Sequence, residues 1–208
     1  MNLRDYLQRE ISRPDLQARK TQAQFAPSLT YGRHFGKPAW NAKPASVLVL
    51  FFNQSGTISI PFTVRPKTLR DHGGQVSFPG GMQEDNESSK EAALREFREE
   101  LGCSSDRIEV LGSLSPINVY NSNFYVTPWV AWSDESLAFS PNPAEVEKVF
   151  SMPATELIRS DNYGSFTVSR GAVSFQAASI NWREFRIWGA TCVILGEVIS
   201  ILKSFESK

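Results

Sequence analysis

Three glutamates near the middle of the sequence, Glu96, Glu99 and Glu100, have the residue type and spacing to bind a cation. On a helix that turns about 100° per residue, Glu100 lies about 40° to one side of Glu96 and Glu99 about 60° to the other. Like charges at this spacing destabilise a bare helix, but a divalent cation reverses the sign of that interaction. Hard oxygen ligands suit Mg²⁺ or Mn²⁺, which in turn bind phosphate oxygens. The pattern therefore indicates metal-dependent chemistry on a phosphate, with a solvated glutamate-rich helix face as the alternative.

Two features close to these glutamates support a binding site. Arg95 stands four residues from both Glu91 and Glu99, which is close enough on a helix to orient the carboxylate of Glu99. Further upstream, the pair Gly80 and Gly81 has no Cβ atoms, so the backbone there allows a ligand or a metal to approach closely.

The glutamates belong to the strongest predicted helix, residues 88–101, which ends at Gly102. Leu94, Phe97 and Leu101 point away from them and are predicted to dock this helix on a sheet. Strands on both sides of the helix, and a second long helix at the end, predict a layered α/β domain. The predicted strands are residues 46–53, 57–64, 107–114, 124–132, 146–152, 166–169, 173–180 and 184–188. The other predicted helices are a short amphipathic one in residues 1–23, interrupted near Pro14, and residues 154–159 and 189–205.

The chain divides by composition into two parts. Residues 1–45 are predicted to form an N-terminal helix and an extended arm, and residues 46–208 the main domain. The stretch 24–45 contains three prolines and several aromatic residues. It is interpreted either as an arm packed on the body or as a partly ordered tail. The arm is also the candidate element for a homodimer contact, although no feature of the sequence locates an interface.

Composition and charge exclude several classes of protein. A length of 208 residues corresponds to about one domain. The 22 lysines and arginines balance the 22 acidic residues, so the chain lacks the basic surplus of a nucleic-acid-binding protein. Two cysteines and two histidines argue against a disulfide framework and against a Cys/His zinc site. The start carries charge unlike a signal peptide, and the longest mainly apolar stretch, residues 45–52, is too short to cross a bilayer. We therefore expect a cytoplasmic protein without membrane contact.

The full spacing around the glutamates resembles a known motif. Gly81, Glu87, the pair 95–96, the pair 99–100 and Gly102 match all seven fixed positions of the Nudix box, G-x5-E-x7-R-E-U-x-E-E-x-G-U. Only the bulky aliphatic positions differ, and their occupants, Phe97 and Cys103, are apolar too. Resemblance to Nudix hydrolases implies an α/β/α sandwich with a mixed central sheet. It also implies Mg²⁺- or Mn²⁺-dependent hydrolysis of a nucleoside diphosphate linked to another moiety.

The resemblance also implies roles for individual residues. Glu96, Glu99 and Glu100 would be the metal carboxylates, and the carbonyl of Gly81 an extra ligand. Glu87 and Arg95 would orient them, which places Arg95, Glu96 and Glu99 at the catalytic centre. In Nudix enzymes a loop glutamate ahead of a late strand often serves as general base or completes a metal site. Glu145 is the candidate here and Glu147 its competitor, with a plain surface pair as the alternative.

A second motif lies upstream of the box. Thr63, Arg65, Arg70, Gly74 and residues 78–81 fall in register with L-L-T-x-R-[SA]-x3-R-x3-G-x3-F-P-G-G, a motif of coenzyme A pyrophosphatases in this superfamily. The sequence departs from it at residues 61–62 and at position 66, where proline removes an amide donor beside Arg65.

The resemblance points to five candidate substrate-binding residues: Arg65, Lys67, Arg70, His72 and Phe78. Their three cationic side chains would suit the 3′-phosphate of coenzyme A, because guanidinium groups bind phosphate in a bidentate way. The alternative is an ordinary basic loop, and His72 is as well explained as a residue that orders that loop.

Three functions remain open on the sequence alone. The first is hydrolysis of coenzyme A or its thioesters to 3′,5′-ADP and 4′-phosphopantetheine or its acyl derivative. The second is a Nudix hydrolase for ADP-ribose, a nucleoside diphosphate sugar or an oxidised nucleotide. The third is a non-catalytic nucleotide-sensing module. In each case the partner is a small molecule.

Overall fold

The computed structural model describes residues 1–12, 16–28, 33–68 and 73–208, and for residues 16–18, 33 and 170 the backbone alone. Within these residues an eight-stranded sheet is built around β1 (Lys43–Gln54). β1 pairs in parallel with β7 (Phe124–Ser133) and antiparallel with β2 (Thr57–Val64) and β4 (Gly80–Met82). β3 (Val76–Ser77) and β8 (Lys148–Pro153) pair with β2, while β5 (Glu109–Ser113) and β6 (Ile117–Val119) pair with β7. The predicted mixed central sheet is confirmed.

Alternating side chains of β1 separate two core layers. Leu48, Leu50 and Phe52 face α3 (Ser89–Leu101) and pack with its Phe97. The residues between them, Val49 and Phe51, belong to the core under α5 (Ala190–Glu206) and α1 (Leu3–Ile11), with apolar contributions from Tyr6, Leu7, Val193 and Ile194. A strand that is apolar on both faces is what a sheet covered by helices on both sides requires. The predicted α/β fold class is confirmed.

A second, three-stranded antiparallel sheet precedes the final helix. It consists of β9 (Tyr163–Arg170), β10 (Val173–Trp182) and β11 (Phe185–Trp188), and it follows the short helix α4 (Ala154–Leu157). β11 leads through Gly189 directly into α5. The predicted strand 166–169 is therefore the end of a longer strand, and the predicted helix 154–159 stops at Leu157.

The helix predicted in residues 1–23 corresponds to two helices in the structure. α2 (Leu16–Gln24) follows α1, and the interruption predicted at Pro14 lies outside the described residues. The buried amide of Gln22 donates a hydrogen bond of 2.9 Å from Nε2 to Oε2 of Glu197 on α5. Phe25 is also part of the main core. The division at residue 45 and the homodimer contact stay predictions.

None of the helices in the described part of the chain is both long enough and apolar enough to cross a lipid bilayer.

Candidate active site

α3 has strong local signals for its position. Ser88 caps its first turn in a capping box: Ser88 accepts from the amide of Glu91, and Glu91 accepts from the amide of Ser88. Gly102 ends the helix in the left-handed conformation, with φ of 58°. Because Phe97 faces the sheet, the glutamates one position before it and three after it are held at the edge of the buried face.

A loop brings a third carboxylate to two glutamates of this helix. The amide of Asn142 donates to the carbonyl oxygen of Glu100 at 3.0 Å, so the loop after β7 returns to the end of α3. Nδ2 of Asn142 also donates to Oε1 of Glu145 at 3.2 Å. Each of Glu96, Glu100 and Glu145 places a carboxylate oxygen within 4.8 Å of the others. We call these three residues the carboxylate cluster.

The electrostatics of the cluster fit a bound cation. Glu100 is only 3 % exposed, and its Oε2 has no hydrogen-bond partner. Burial, followed by the charge of Glu96, raises the pKa of Glu100 to about 8. Burial also raises the pKa of Glu96, although Arg95 opposes that shift. Desolvated carboxylates with an unused oxygen are unfavourable alone, and their hard oxygen donors suit a divalent cation.

Arg95 links the cluster to the residues around it. Its Nε and Nη2 donate to the two oxygens of Glu87 at 2.9 and 3.1 Å. Its Nη1 donates to Glu96 at 2.9 Å and to Glu99 at 3.0 Å, and Nη2 also reaches the carbonyl of Met82 at 2.9 Å. These bonds raise the pKa of Arg95 and lower that of Glu87. Arg95 therefore ties α3 to β4 and fixes the orientation of Glu96.

Glu99 is not a member of the carboxylate cluster. Its side chain is 53 % exposed and pairs with Arg95. The arc predicted for α3 groups Glu96 with Glu99 and Glu100, whereas the structure groups Glu96 and Glu100 with Glu145. A helical projection includes only one element and so leaves out a loop that folds back on it. The role of Glu99 as a metal ligand stays a prediction.

Gly80 and Gly81 lie where a side chain would collide. A Cβ atom at Gly81 would fall 2.4 Å from Oε1 of Glu96, and one at Gly80 would fall 2.3 Å from the carbonyl oxygen of Ser46. Gly81 is paired with Ser46 across β4 and β1. The glycine pair thus brings backbone directly against the cluster, as its sequence predicts. Coordination by the Gly81 carbonyl stays a prediction.

A cavity of about 530 Å³ is lined by Gly81 and Arg65, which neighbour the cluster. Arg65, Phe78, Gly80 and Gly81 line it, so two of the predicted substrate residues meet the glycine pair there. Arg65 is held after β2 by backbone bonds to Gln75 and Gly74, at 3.0 and 2.9 Å. Its charge lowers the pKa of Glu100, although burial wins overall. Phe78 is nearly fully buried and packs against the core, so it forms part of the cavity wall.

The remaining predicted residues are less central. Lys67 is not among the residues that line the cavity, and its amide donates to Oε2 of Glu147 at 3.3 Å. Glu147 is therefore bonded outside the carboxylate cluster. This favours Glu145 as the loop glutamate of the site. Arg70 and His72 lie outside the described residues.

Sequence reasoning missed part of the cavity wall. His34, Ser46, Phe175 and Trp188 line it, and they come from the arm, the central strand and the second sheet. No motif connects residues so far apart in the chain. The only signal in the sequence for this part of the wall is at Gly189, between a strand that ends at Trp188 and a long apolar helix.

Several known proteins are similar to this chain in sequence. A family model described as the NUDIX domain matches residues 42–169. A protein named "Uncharacterized Nudix hydrolase NudL" from Photorhabdus laumondii is 33% identical over 157 residues, covering 70% of this chain and 83% of the relative. Its namesake from Yersinia enterocolitica is 38% identical over 135 residues, covering 64% of this chain and 68% of the relative.

Solved structures support the fold. A MutT/nudix family protein from Enterococcus faecalis has a TM-score of 0.53 at 15% identity, covering 92% of this chain and 75% of that protein. A Nudix hydrolase from M. Smegmatis has a TM-score of 0.50 at 13% identity, covering 81% of this chain and 90% of that one. At these identities the likeness supports the fold alone.

Proposed function

This chain belongs to the Nudix family and is a pyrophosphohydrolase that acts on a nucleotide diphosphate, and we propose that its substrate is coenzyme A or a coenzyme A thioester. The products would be 3′,5′-ADP and 4′-phosphopantetheine or its acyl derivative. Nudix hydrolases generally use divalent metal ions, and we propose Mg²⁺ or Mn²⁺ for this one, since the carboxylate cluster offers only hard oxygen donors.

The observation that carries the choice of substrate is the position of Arg65. Its Nε is buried and has no hydrogen-bond partner, and its side chain lines the cavity next to the carboxylate cluster. A buried guanidinium with an unused donor, beside a site for a diphosphate, suits a further phosphate group. Coenzyme A carries such a group on its ribose. Arg65 also belongs to the upstream motif that resembles coenzyme A pyrophosphatases.

The roles proposed for the site residues follow from their contacts. Glu96 and Glu100 would hold the cation, with Glu99 or Glu145 completing its shell. When bound, a divalent cation neutralises the diphosphate and lowers the pKa of a coordinated water. Arg95 would keep Glu96 and Glu99 oriented, and Arg65 would bind a phosphate. Glu145, on a loop held by Asn142, would accept the proton of the attacking water or serve as a further ligand.

The variant Glu145→Gln separates those two roles of Glu145. As a general base, Glu145 is needed for turnover but not for the cation. The variant should then lose about 10²-fold in kcat while Mg²⁺ still raises its Tm as in the wild type. As a ligand, Glu145 is needed for both, and both kcat and the Mg²⁺-induced rise in Tm should fall. A variant with wild-type kcat would remove Glu145 from the site, and Glu147→Gln is the matched control.

A panel of substrates with resolved products tests the proposed specificity. CoA, dephospho-CoA, ADP-ribose and deoxynucleoside triphosphates are compared with Mg²⁺ and with Mn²⁺. We expect kcat/KM for CoA to exceed that for dephospho-CoA by about 10-fold or more, because charge-assisted bonds to the 3′-phosphate contribute about 1.5–3 kcal/mol.

The variant Arg65→Gln links this preference to a residue. It should reduce the preference for CoA over dephospho-CoA to about twofold, since the phosphate loses its cation. Arg107→Gln, an exposed arginine paired with Glu135, serves as the control and should keep the preference. Equal rates on CoA and dephospho-CoA in the wild type would contradict a 3′-phosphate site. A higher kcat/KM for ADP-ribose would favour the alternative substrate.

A further inference from the structure

The cavity beside the carboxylate cluster contains polar groups that lack partners. His34 is 4 % exposed, and neither of its ring nitrogens has a hydrogen-bond partner. Nε of Arg65 is also buried without one. Both residues line the same cavity. Buried polar groups in folded proteins are nearly always hydrogen-bonded, so unpaired groups on two residues of one cavity wall indicate a polar ligand.

His34 differs in chemistry from Arg65. Burial, followed by the charge of Arg19, lowers the pKa of His34, which favours the neutral form of its ring. A neutral imidazole has one N–H donor and one nitrogen acceptor. It therefore complements an amide or the edge of a nucleobase rather than a phosphate. Arg65, by contrast, is a permanent cation suited to phosphate.

The rest of the cavity wall agrees with a ligand that is charged in one part only. Among the described residues that line it, Arg65 is the one Lys, Arg, Asp or Glu. Much of the remaining wall is apolar, with contributions from Val126, Val193, Phe175 and Trp188. Such a surface favours an uncharged group with a few hydrogen-bonding atoms over a second phosphate.

The position of His34 is supported from both sides. It lies in a short helical turn, Arg33–Phe35, and its ring packs at a tilt of 60° against that of Phe35, with centroids 3.7 Å apart. Just beyond, Nδ2 of Asn118 donates to the carbonyl of Gly36 at 2.6 Å. The arm is thereby held against β6, so the imidazole is a built part of the cavity wall.

We propose that this cavity binds the uncharged part of the diphosphate substrate, an amide or a nucleobase, and that His34 recognises it by hydrogen bonds. The inference rests on the proposed function for the diphosphate itself. It assigns the arm a role in substrate binding and makes His34 a determinant of specificity. In coenzyme A the two sources of this chemistry are the amides of the pantetheine arm and the adenine.

Two probes distinguish these sources without any turnover. 4′-Phosphopantetheine carries amides and no base, whereas ADP carries a base and no amides. Their Kd values are measured by calorimetry in the presence of Mg²⁺ for the wild type, His34→Phe and His34→Gln. Phenylalanine retains a ring beside Phe35 but no hydrogen-bonding atom, whereas glutamine retains a donor and an acceptor.

We expect His34→Phe to raise the Kd of at least one probe about fivefold to tenfold, and His34→Gln to stay within about twofold of the wild type. The probe that weakens identifies the group bound by His34, and weakening of both means that either group occupies the cavity. Trp182→Phe removes a buried, unpartnered N–H that does not line the cavity, and it should change neither Kd.

Three results would overturn the inference. These are wild-type protein that binds neither probe, His34→Phe that weakens neither, and weakening that His34→Gln does not rescue. Tm values of all variants check that they fold. If CoA is not hydrolysed but the pattern of Kd values holds, the proposed substrate fails and the role of His34 stands.

Discussion

Replacing Glu100 with glutamine is expected to lower kcat by about 10²- to 10³-fold and, in EDTA, to raise the Tm. Activity falls because the variant lacks a carboxylate that would hold the cation, and such electrostatic contributions are large. Stability rises because the buried carboxylate of Glu100 has an oxygen without a partner. A neutral amide of the same size avoids about 1–3 kcal/mol of that cost, and an increase of about 3 °C or more is expected.

The gain in Tm expected for Glu100→Gln in EDTA should change with pH in one direction. Burial raises the pKa of Glu100 from an ordinary 4.5 to about 8, so the folded protein retains a proton that the unfolded chain releases. The free energy of unfolding of the metal-free protein therefore falls as the pH rises between these values. Glu100→Gln removes this contribution, and its advantage in Tm should grow from pH 6 to pH 8. Differential scanning calorimetry in EDTA measures it.

Glu135→Gln is the matched control for Glu100→Gln. Glu135 is exposed and pairs with Arg107, so its replacement should change neither kcat nor the pH dependence of Tm. Unchanged turnover in Glu100→Gln would remove Glu100 from the metal site. A Tm lowered in EDTA would instead mean that the carboxylate stabilises the fold.

Introducing a single methyl group at Gly81 is expected to have an effect of similar size on activity. The Cβ atom of Gly81→Ala would lie 2.4 Å from Oε1 of Glu96, so the carboxylate must move away from its bond with Arg95. Misplacing a catalytic group by about 1 Å costs on the order of 10²-fold in rate. We expect kcat to fall by about that factor and the Mg²⁺-induced rise in Tm to shrink.

Gly56→Ala is the control that separates stability from activity. Gly56 has φ of 87° and nothing within 4 Å of an added Cβ, so alanine there strains a turn far from the collision at Gly81. This variant should have a lower Tm and an unchanged kcat, whereas Gly81→Ala should lose mainly kcat. Wild-type kinetics in Gly81→Ala would show that Glu96 does not need the position observed here.

Much of the fold and part of the site could be predicted because their signals are local. The capping residue Ser88 and the terminal Gly102 mark the ends of α3 within the sequence itself. The near-continuous apolar run along β1 likewise identifies a strand buried on both faces. By contrast, β3, β4 and β6 have only two or three residues, too few to show any periodicity.

The composition of the site depended on contacts between distant segments. Spacing on α3 placed Glu99 with Glu96 and Glu100, and only the family resemblance pointed to Glu145, which reaches the cluster because its loop contacts Glu100 through Asn142. In the sequence, His34 is one of two histidines, which are too few for a Cys/His zinc site. No residue near it in the sequence marks it as part of a cavity. Such residues become candidates only once burial and missing hydrogen bonds are visible in three dimensions.

The most direct test of the central claim is hydrolysis of CoA with separation of the products, in wild-type protein and in Glu100→Gln, with Mg²⁺ and with EDTA. The account predicts 3′,5′-ADP and 4′-phosphopantetheine in equal amounts from the wild type with Mg²⁺. It predicts almost none with EDTA or from Glu100→Gln. Intact CoA in every sample, while ADP-ribose is cleaved by the wild type, would contradict the proposed substrate. Equal product formation by Glu100→Gln would contradict the metal site.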